Sequence, residues 1–376
     1  MEFSRDAVQQ ELYERIVAAW RDRPAAPDAS EFPRDEWDAC GRLGLLGLAV
    51  PRQYGGLGAD CATTAYALEA LGYACADAGL VFAACAHLLA AVMPIVEMGG
   101  ERLKAACLPD LASGRSVGAG AMTEIGAGSD VFAMSTTAIR DGDGYRLNGE
   151  KAFITNAPIA DVMVVYAVTN PNHGYWRSSA FVVDGSQPGV SRGAAVRKIG
   201  LHSATVGCLR FDDCYVPGDR LIGKEGQGAA VFERAMRWER SCLFAAWIGL
   251  MQRQLERCVE VAKGTKRFAR PIGKNQGVAF RLADMKLRLE ASRLLVYRAC
   301  WHVDTGDATR LDSSLAKLAV SEAAIQSSLD AIQIHGARGI VEETGIACQL
   351  RDMVPGAIYS GTSEMQRDII CAELGL

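Results

Sequence analysis

The segment Ala121-Met122-Thr123-Glu124-Ile125-Gly126-Ala127-Gly128-Ser129-Asp130 is the most informative part of this chain. Its two glycines and its serine leave a backbone with little side-chain cover, whose N–H groups can reach an anion. The same spacing also suits an ordinary glycine-rich turn between two strands. It matches neither a dinucleotide-binding GxGxxG nor a Walker phosphate loop, because no lysine and no strand–helix–strand context follow. The segment by itself leaves both interpretations open.

The composition around this segment is that of a globular protein. The chain has 376 residues, of which 49% are apolar and 22% are charged, so neither disorder nor a fibrous repeat is expected. Its length suits two or three sub-domains packed into one body. Lysine and arginine are spread along the chain and the net charge is −4, so we expect no nucleic-acid partner.

The cysteines and histidines show no metal-binding spacing. Twelve cysteines are scattered without a CxxC pair, which predicts reduced apolar fillers in a cytoplasmic protein and no metal. Four isolated histidines are expected to have ordinary core or surface roles: His87, His173, His202 and His302. His335 lies beside a segment discussed below and is left open.

Two segments bear on targeting. Met1–Trp20 is charged and amphipathic, without the apolar stretch of a secretory signal. Ala78–Val96 is apolar for long enough to cross a membrane, but it contains His87 and Pro94 and is rich in alanine. We interpret it as a buried helix, so no membrane association is expected.

Three regimes of periodicity follow one another. Residues 1–115 have a helical pattern, residues 116–224 have short β-branched runs broken by turn signals, and residues 225–376 return to long helical stretches. The predicted class is therefore α+β, with a middle antiparallel β-barrel or sandwich between an N-terminal helical bundle and a C-terminal four-helix bundle. We take these three residue ranges as the expected domains.

The glycine-rich segment resembles the signature of the acyl-CoA dehydrogenase family. Four further stretches agree with that family in order and spacing, so the resemblance extends over nearly the whole chain. They are Asn148-Gly-Glu-Lys-Ala-Phe-Ile-Thr-Asn156, Lys198-Ile-Gly-Leu201, Gly223-Lys-Glu-Gly-Gln-Gly228, and Arg351-Asp352 with Gly361-Thr-Ser-Glu364.

The resemblance implies FAD as cofactor and a homotetramer or homodimer as the assembly. Matching positions in the family hold FAD, partly from a neighbouring subunit. They are Met122, Thr123, Gly128 and Ser129 for the flavin edge and pyrophosphate, Phe153 and Thr155 for the isoalloxazine, and Gln333, Gly336, Thr362 and Glu364 for the adenosine half. The arginine expected to reach a neighbour's pyrophosphate is absent, with Lys266 and Arg267 as possible substitutes.

The catalytic base is where this chain departs from the commonest family pattern. Oxidation of a thioester at Cα–Cβ requires a carboxylate to take the α-proton. Many members carry that glutamate just before Gly-Thr-Ser, where this chain has Ser360, too weak a base. A minority branch carries it on an earlier helix, at the position of Glu239. Apolar neighbours on the same helix face would raise the pKa of Glu239; the alternative is a structural glutamate paired with Arg237 or Arg240.

The resemblance also implies a division of labour and a substrate. The backbone N–H of Ser360 would still polarise the thioester carbonyl while Glu239 removes the proton. Trp238-Glu239-Arg240 and Asn156-Ala-Pro-Ile-Ala-Asp161 look most like a subgroup that oxidises prolyl, seryl or hydroxyacyl thioesters on acyl or peptidyl carrier proteins in natural-product biosynthesis. Electrons would pass to a flavoprotein or to oxygen.

Several alternatives stay open. The substrate could instead be a coenzyme A thioester, as in a short-chain or branched-chain acyl-CoA dehydrogenase, since both carriers share the phosphopantetheine arm. A non-catalytic flavin- or carrier-binding homologue would explain the missing glutamate at position 360. A flavin monooxygenase or nitroalkane-type oxidase on the same fold would require no thioester.

Overall fold

The computed structural model describes residues 5–20 and 31–376 and divides them into helical, sheet and helical parts, as predicted. Residues 1–4 of the predicted amphipathic N-terminal segment lie outside the described residues. The N-terminal helices are α1 (Ala7–Trp20), α2 (Arg34–Arg42), α3 (Cys61–Ala74), α4 (Ala78–Ala86), α5 (Met93–Met98) and α6 (Glu101–Ser113).

The apolar segment that resembled a membrane span is a buried helix. It runs from Ala78 to Met98, and 83% of its most apolar 18-residue window is buried inside the protein. The Asp77 side chain caps its start, and a π-helical turn at His87–Val92 separates α4 from α5. The ring of His87 accepts a hydrogen bond from the Gly118 N–H at 2.8 Å and donates to the Leu111 carbonyl at 3.0 Å. Burial lowers the pKa of His87 to about 4, so this histidine is a neutral core residue.

The middle part is a sheet of eight strands within the described residues. In chain order they are β1 (Gly118–Ala121), β2 (Thr137–Asp141), β3 (Gly144–Thr155), β4 (Val162–Val168), β5 (Ser178–Asp184), β6 (Val190–Arg192), β7 (Val206–Pro217) and β8 (Leu221–Ile222). Seven of them follow the spatial order β6-β7-β3-β2-β4-β5-β8, and β1 lies off this path beside β4. Inner residues from β3, β4, β5 and β7 share one hydrophobic cluster, so the sheet curves around its own core, as a barrel or sandwich requires.

The prediction of a wholly antiparallel sheet is wrong at two pairings. Strand β1 pairs with β4 in parallel, with Gly118 opposite Val162 and Ala121 opposite Val165. Strand β2 also meets β4 in parallel at Thr137 and Val168. The sequence Gly-Ala-Gly-Ala of β1 carries no β-branched residue, so its composition gave no strand signal.

Strand β4 is buried at all seven positions because both of its faces are covered. Val164, Tyr166 and Val168 belong to the large helical core, whereas Met163 and Val165 belong to the core inside the sheet. Since successive side chains of a strand point to opposite faces, Tyr166 is directed toward the helices.

The C-terminal part is dominated by α7 (Gly228–Gly264), a helix of 37 residues. It is followed by a two-stranded hairpin, β9 (Lys266–Arg267) and β10 (Arg270–Pro271), then by α8 (Gln276–Thr305), α9 (Arg310–His335), α10 (Ile346–Met353) and α11 (Ser363–Glu373). Helices α7, α8 and α9 pack against one another, and α10 and α11 both pack against α9, so the C-terminal part is a helical domain. Helix α7 also packs along α3, so the first and last parts of the chain share one core.

Two glycines allow α3 and α7 to approach closely. A Cβ atom added at Gly72 would lie 1.9 Å from the Ala246 carbonyl oxygen. A Cβ atom added at Gly249 would lie 2.0 Å from the Glu69 carbonyl oxygen. Backbone therefore meets backbone at this crossing, with no flexible side chain to move aside.

We expect Gly72→Ala or Gly249→Ala to lower the free energy of unfolding by about 1–3 kcal/mol, because the added methyl group must separate two buried helix backbones. The matched control is Gly277→Ala in α8, where an added Cβ meets nothing within 4 Å. It should be neutral or stabilise by up to about 1 kcal/mol. Thermal unfolding followed by circular dichroism measures the difference, and equal midpoints for Gly249→Ala and Gly277→Ala would contradict the close-crossing argument.

Candidate active site

A cavity of about 800 Å³ lies between the middle sheet and the C-terminal helices. Side chains from the glycine-rich segment, β3, β4, α4, α7 and the loop before α11 surround it. It contains eight of the twelve predicted site residues, which are Met122, Thr123, Gly128, Ser129, Phe153, Thr155, Glu239 and Ser360. These residues are far apart in the sequence, and the packing of α7 against the sheet brings them together.

The glycine-rich segment is anchored from below by Glu124. This carboxylate accepts hydrogen bonds from the Ser135 N–H at 2.7 Å, from the Thr136 N–H at 2.9 Å and from Lys151 Nζ at 2.9 Å. Burial opposes its ionisation, but the hydrogen bonds from Ser135, Thr136 and Lys151 outweigh burial and lower the pKa of Glu124 to about 2. Lys151 also donates to the Met122 carbonyl at 3.0 Å. Glu124 and Lys151 therefore hold the loop on one side, and its other side stays open.

The open side of the loop offers groups with no partner among the described residues. The side-chain hydroxyls of Thr123, Ser129 and Thr155 make no hydrogen bond within the described part of the chain. A Cβ added at Gly128 would meet nothing within 4 Å. Phe153 has a left-handed backbone (φ 57°), and its ring is 66% exposed beside the same cavity. Free hydroxyls, uncovered backbone and an exposed ring together suit a large ligand with a planar part and a phosphate part.

The predicted base, Glu239, lies on α7. Its side chain is buried, with 8% of its surface exposed, and its Oε1 accepts a hydrogen bond from the Ser360 hydroxyl. Burial raises the pKa of Glu239, while the Ser360 hydrogen bond and the charge of Arg240 act against that rise. Glu239 makes no ion pair within 4.0 Å among the described residues. Its chemistry is therefore that of a desolvated carboxylate with one fixed donor.

Arg240 stabilises the turn that carries Ser360 and is not the ion-pair partner of Glu239. Its Nε donates to the Ser360 carbonyl oxygen at 2.9 Å, and Gln366 Nε2 donates to the Gly361 carbonyl oxygen at 3.1 Å. Ser360 has φ 58° and Gly361 has φ 88°, so both residues lie in the left-handed region. The backbone N–H of Ser360 has no acceptor within the described residues and borders the cavity.

The other four predicted site residues lie outside this cavity. Gln333 and Gly336 are exposed at the end of α9, and Glu364 is exposed in the first turn of α11. Thr362 caps α11, with its hydroxyl accepting from the Met365 N–H at 3.2 Å. A single protomer does not bring these four residues to Glu239.

The hairpin expected to supply a cation to a neighbour's pyrophosphate projects into solvent. Lys266 and Arg267 are both exposed, and the turn between its strands places Phe268 and Ala269 in left-handed conformations. The Phe268 ring is 98% exposed.

A cysteine cluster was not visible in the sequence spacing. The sulfur atoms of Cys61, Cys242 and Cys300 lie within 4.8 Å of one another and all three side chains are buried. Cys61 and Cys242 are in S–H···S contact at 3.2 Å, and Cys242 and Cys300 contact the backbone carbonyls of Cys61 and Ser241. Because α3, α7 and α8 each contribute one cysteine, only the tertiary structure brings the three together.

Sequence reasoning missed Tyr166 as a site residue. It lies in the predicted β region, residues 116–224, and it lines the cavity that also contains Glu239. Alternate residues of β4 face opposite sides of the sheet, and this alternation could have identified Tyr166. Because both faces are buried, however, β4 reads as a continuous apolar run.

The chain matches three family models that together cover most of its length. They are described as the N-terminal, middle and C-terminal domains of acyl-CoA dehydrogenase, matched at residues 2–115, 119–214 and 226–375. The chain is similar to the L-prolyl-[peptidyl-carrier protein] dehydrogenase of Pseudomonas fluorescens, with 47% identity and all of both chains covered.

Solved structures agree with this similarity. The prolyl acyl carrier protein oxidase AnaB superposes with a TM-score of 0.97 at 39% identity, over 99% of this chain and all of the other. PigA, in a structure with FAD and proline, superposes with a TM-score of 0.97 at 39% identity over all of both chains.

The Ser360 hydroxyl is expected to hold down the pKa of Glu239. In Ser360→Ala the carboxylate loses its donor, so the pKa of Glu239 should rise further. Infrared difference titration of isotope-labelled glutamate measures this rise. The control is Ser313→Ala, which removes a cavity-lining hydroxyl bonded to the Arg310 carbonyl and should leave the titration unchanged. If the pKa of Glu239 is unchanged in Ser360→Ala, the hydrogen bond does not influence the ionisation of Glu239.

Proposed function

The chain belongs to the acyl-CoA dehydrogenase family, and on that basis we propose that it oxidises the Cα–Cβ bond of an aminoacyl thioester on a peptidyl carrier protein. The favoured substrate is the L-prolyl thioester, with seryl or hydroxyacyl thioesters as the related class. The observation that carries the proposal is the buried Glu239 beside Ser360 in a cavity of about 800 Å³. The similarity to prolyl-carrier dehydrogenases over the full chain supports the substrate.

The cofactor is FAD, and the residues present in the cavity fit it. When bound, FAD supplies the acceptor for the two electrons and the hydrogen that leave the substrate. Thr123, Ser129 and Thr155 provide free hydroxyls, and Phe153 provides an exposed aromatic face. These groups would hold the flavin and its phosphates, since no partner within the described part of the chain occupies the three hydroxyls.

Glu239 would act as the base that takes the α-proton. A thioester α-proton is weakly acidic, so its removal requires a carboxylate whose pKa is raised toward neutral pH. Burial provides that rise by removing water from the carboxylate. The hydrogen bond from Ser360 keeps one oxygen fixed and leaves the other free to receive the proton.

The turn at Ser360 would bind the thioester carbonyl oxygen. Its unpartnered N–H can donate to the negative charge that develops on this oxygen when the α-proton leaves. Arg240 and Gln366 fix the turn from the opposite side, so the donor is in place before substrate arrives. Ser360 would thus have two roles. Its N–H would bind the thioester carbonyl oxygen, and its hydroxyl would hold the Glu239 carboxylate.

The partners follow from this assignment. The phosphopantetheine arm of a carrier protein would bring the thioester into the cavity, and a flavoprotein or oxygen would accept the electrons. The burial of the segment Ala78–Met98 and the twelve free cysteines support a cytoplasmic enzyme.

Mass spectrometry of carrier-bound thioesters tests the function. We expect the holoenzyme to convert L-prolyl-carrier to a product lighter by two or four hydrogens, with butyryl-CoA and isovaleryl-CoA turned over much more slowly. Glu239→Gln should lower the rate by about 10²- to 10⁴-fold while keeping FAD bound, because only the base is lost.

Other outcomes would identify the alternatives. Faster oxidation of butyryl-CoA or isovaleryl-CoA would indicate an acyl-CoA dehydrogenase. A gain of oxygen mass would indicate a monooxygenase. Bound FAD that no thioester bleaches would indicate a non-catalytic homologue.

We also propose that the enzyme is a homo-oligomer associated through α8. Four large apolar side chains on this helix follow one another at seven-residue spacing, and all of them are exposed: Phe280, Leu287, Leu294 and Trp301. A seven-residue apolar repeat is the pattern of a helix–helix seam, and a second copy of α8 would cover it.

Leu287→Glu combined with Leu294→Glu should dissociate the oligomer, because two buried charges would face each other across the seam. Light scattering after size-exclusion chromatography measures the mass. Leu374→Glu, at an exposed leucine outside α8, is the control and should keep the wild-type mass. An unchanged mass for the double variant would exclude α8 as the interface.

A further inference from the structure

The polar groups around Glu239 are not equally occupied. Among the described residues that line the cavity, Ser360, Arg240, Tyr359 and Tyr166 interact electrostatically with this carboxylate. Ser360 donates to Glu239 itself, and Arg240 donates to the Ser360 carbonyl oxygen at 2.9 Å. Those two side chains are therefore already committed to the protein.

The Tyr359 hydroxyl does not open on the cavity. It is enclosed by protein atoms, and a Cβ at Gly356 would lie 3.4 Å from it. The ring lies between Phe82, at 4.5 Å between centroids, and Phe244, at 5.9 Å. Tyr359 thus presents its ring to the cavity and its hydroxyl to the interior.

Tyr166 differs from these three residues. It is 2% exposed, and its hydroxyl makes no hydrogen bond within the described part of the chain. Its ring packs edge-on against Phe232, with centroids 5.7 Å apart and planes at 83°, which fixes its direction. Burial and the nearby Glu239 raise the pKa of Tyr166, so the hydroxyl is neutral and can both donate and accept.

We propose that the Tyr166 hydroxyl accepts a hydrogen bond from the amino group on Cα of the substrate, and so makes the site selective for aminoacyl over plain acyl thioesters. The inference rests on the proposed function. The amino nitrogen is one bond from the carbon whose proton Glu239 removes, so a group beside Glu239 is within reach of it. Phe82, Ala86 and Leu243, which line the same cavity, have apolar side chains that cannot accept a hydrogen bond from an N–H donor.

Recognition by Tyr166 would also protect the base. An ammonium or amine N–H with no other acceptor would bond to Glu239 and compete with the α-proton for the same oxygen. With the nitrogen held by Tyr166, the carboxylate remains directed at Cα–H. Tyr166 is thus a specificity residue that contacts the substrate.

The test compares two substrates that differ only at the nitrogen. L-prolyl and cyclopentanecarbonyl thioesters are loaded on the same peptidyl carrier protein, since the two rings have nearly the same shape. In Tyr166→Phe, kcat/KM for the prolyl thioester should fall about 10- to 100-fold, while the cyclopentanecarbonyl value should change by no more than about twofold.

A binding measurement separates recognition from chemistry. Holoenzyme carrying Glu239→Gln should bind prolyl-carrier more tightly than cyclopentanecarbonyl-carrier, and adding Tyr166→Phe should abolish that difference. Tyr359→Phe is the matched control. It removes a hydroxyl that does not reach the cavity, and it should keep the wild-type ratio between the two substrates.

The outcomes distinguish the inference from the function. If wild-type enzyme oxidises the prolyl thioester but Tyr166→Phe keeps the wild-type selectivity, or loses both substrates equally, the inference is wrong and the function stands. If wild-type enzyme oxidises neither carrier-bound thioester, the proposed function fails and the inference fails with it.

Discussion

The contact between Glu239 and Ser360 joins two parts of the chain that are 121 residues apart. A carboxylate with only 8% of its surface exposed has lost most of its hydration, so a protein donor must compensate for part of that loss. Ser360 supplies this donor from a turn whose left-handed backbone is itself held by Arg240 and Gln366. The ionised form of Glu239 therefore depends on a short chain of contacts, and the placement of α7 brings Glu239 and Arg240 into that chain.

The placement of α7 depends in turn on close packing on its other side. Gly72 and Gly249 bring α3 and α7 into backbone contact, and α7 is long enough to reach from this crossing to the cavity. On the opposite wall, β4 contributes Tyr166 from a strand that is covered on both faces. The cavity thus lies between rigid elements, and the glycine-rich segment, held by Glu124 and Lys151, closes one end of it.

Much of this arrangement could be predicted from the sequence, and the remainder has physical reasons for being hidden. The helices Gly228–Gly264, Gln276–Thr305 and Arg310–His335 lie in the region where long helices were predicted, and Ala78–Met98 is buried as its histidine and proline suggested. Eight of the predicted site residues line one cavity, and they could be predicted because they lie in recognisable motifs.

Three features had no local signal. The pairing of β1 with β4 involves a strand of small residues only. The Cys61–Cys242–Cys300 cluster and the hydrogen bond from the Ser360 side chain to Glu239 both exist only because distant helices pack together. The sequence shows which polar groups the chain contains, but it does not show which of them form hydrogen bonds with one another in the folded protein.

The distance between positions 239 and 360 also limits how this family can relocate its acid–base group. Their side chains are in direct contact, so a chain with glutamate at both positions would place two carboxylates against each other in a dry pocket. Like charges that close cannot both be ionised at neutral pH, and one would remain protonated. With glutamate at both positions one carboxylate would stay protonated, whereas the serine found here adds no second charge beside Glu239.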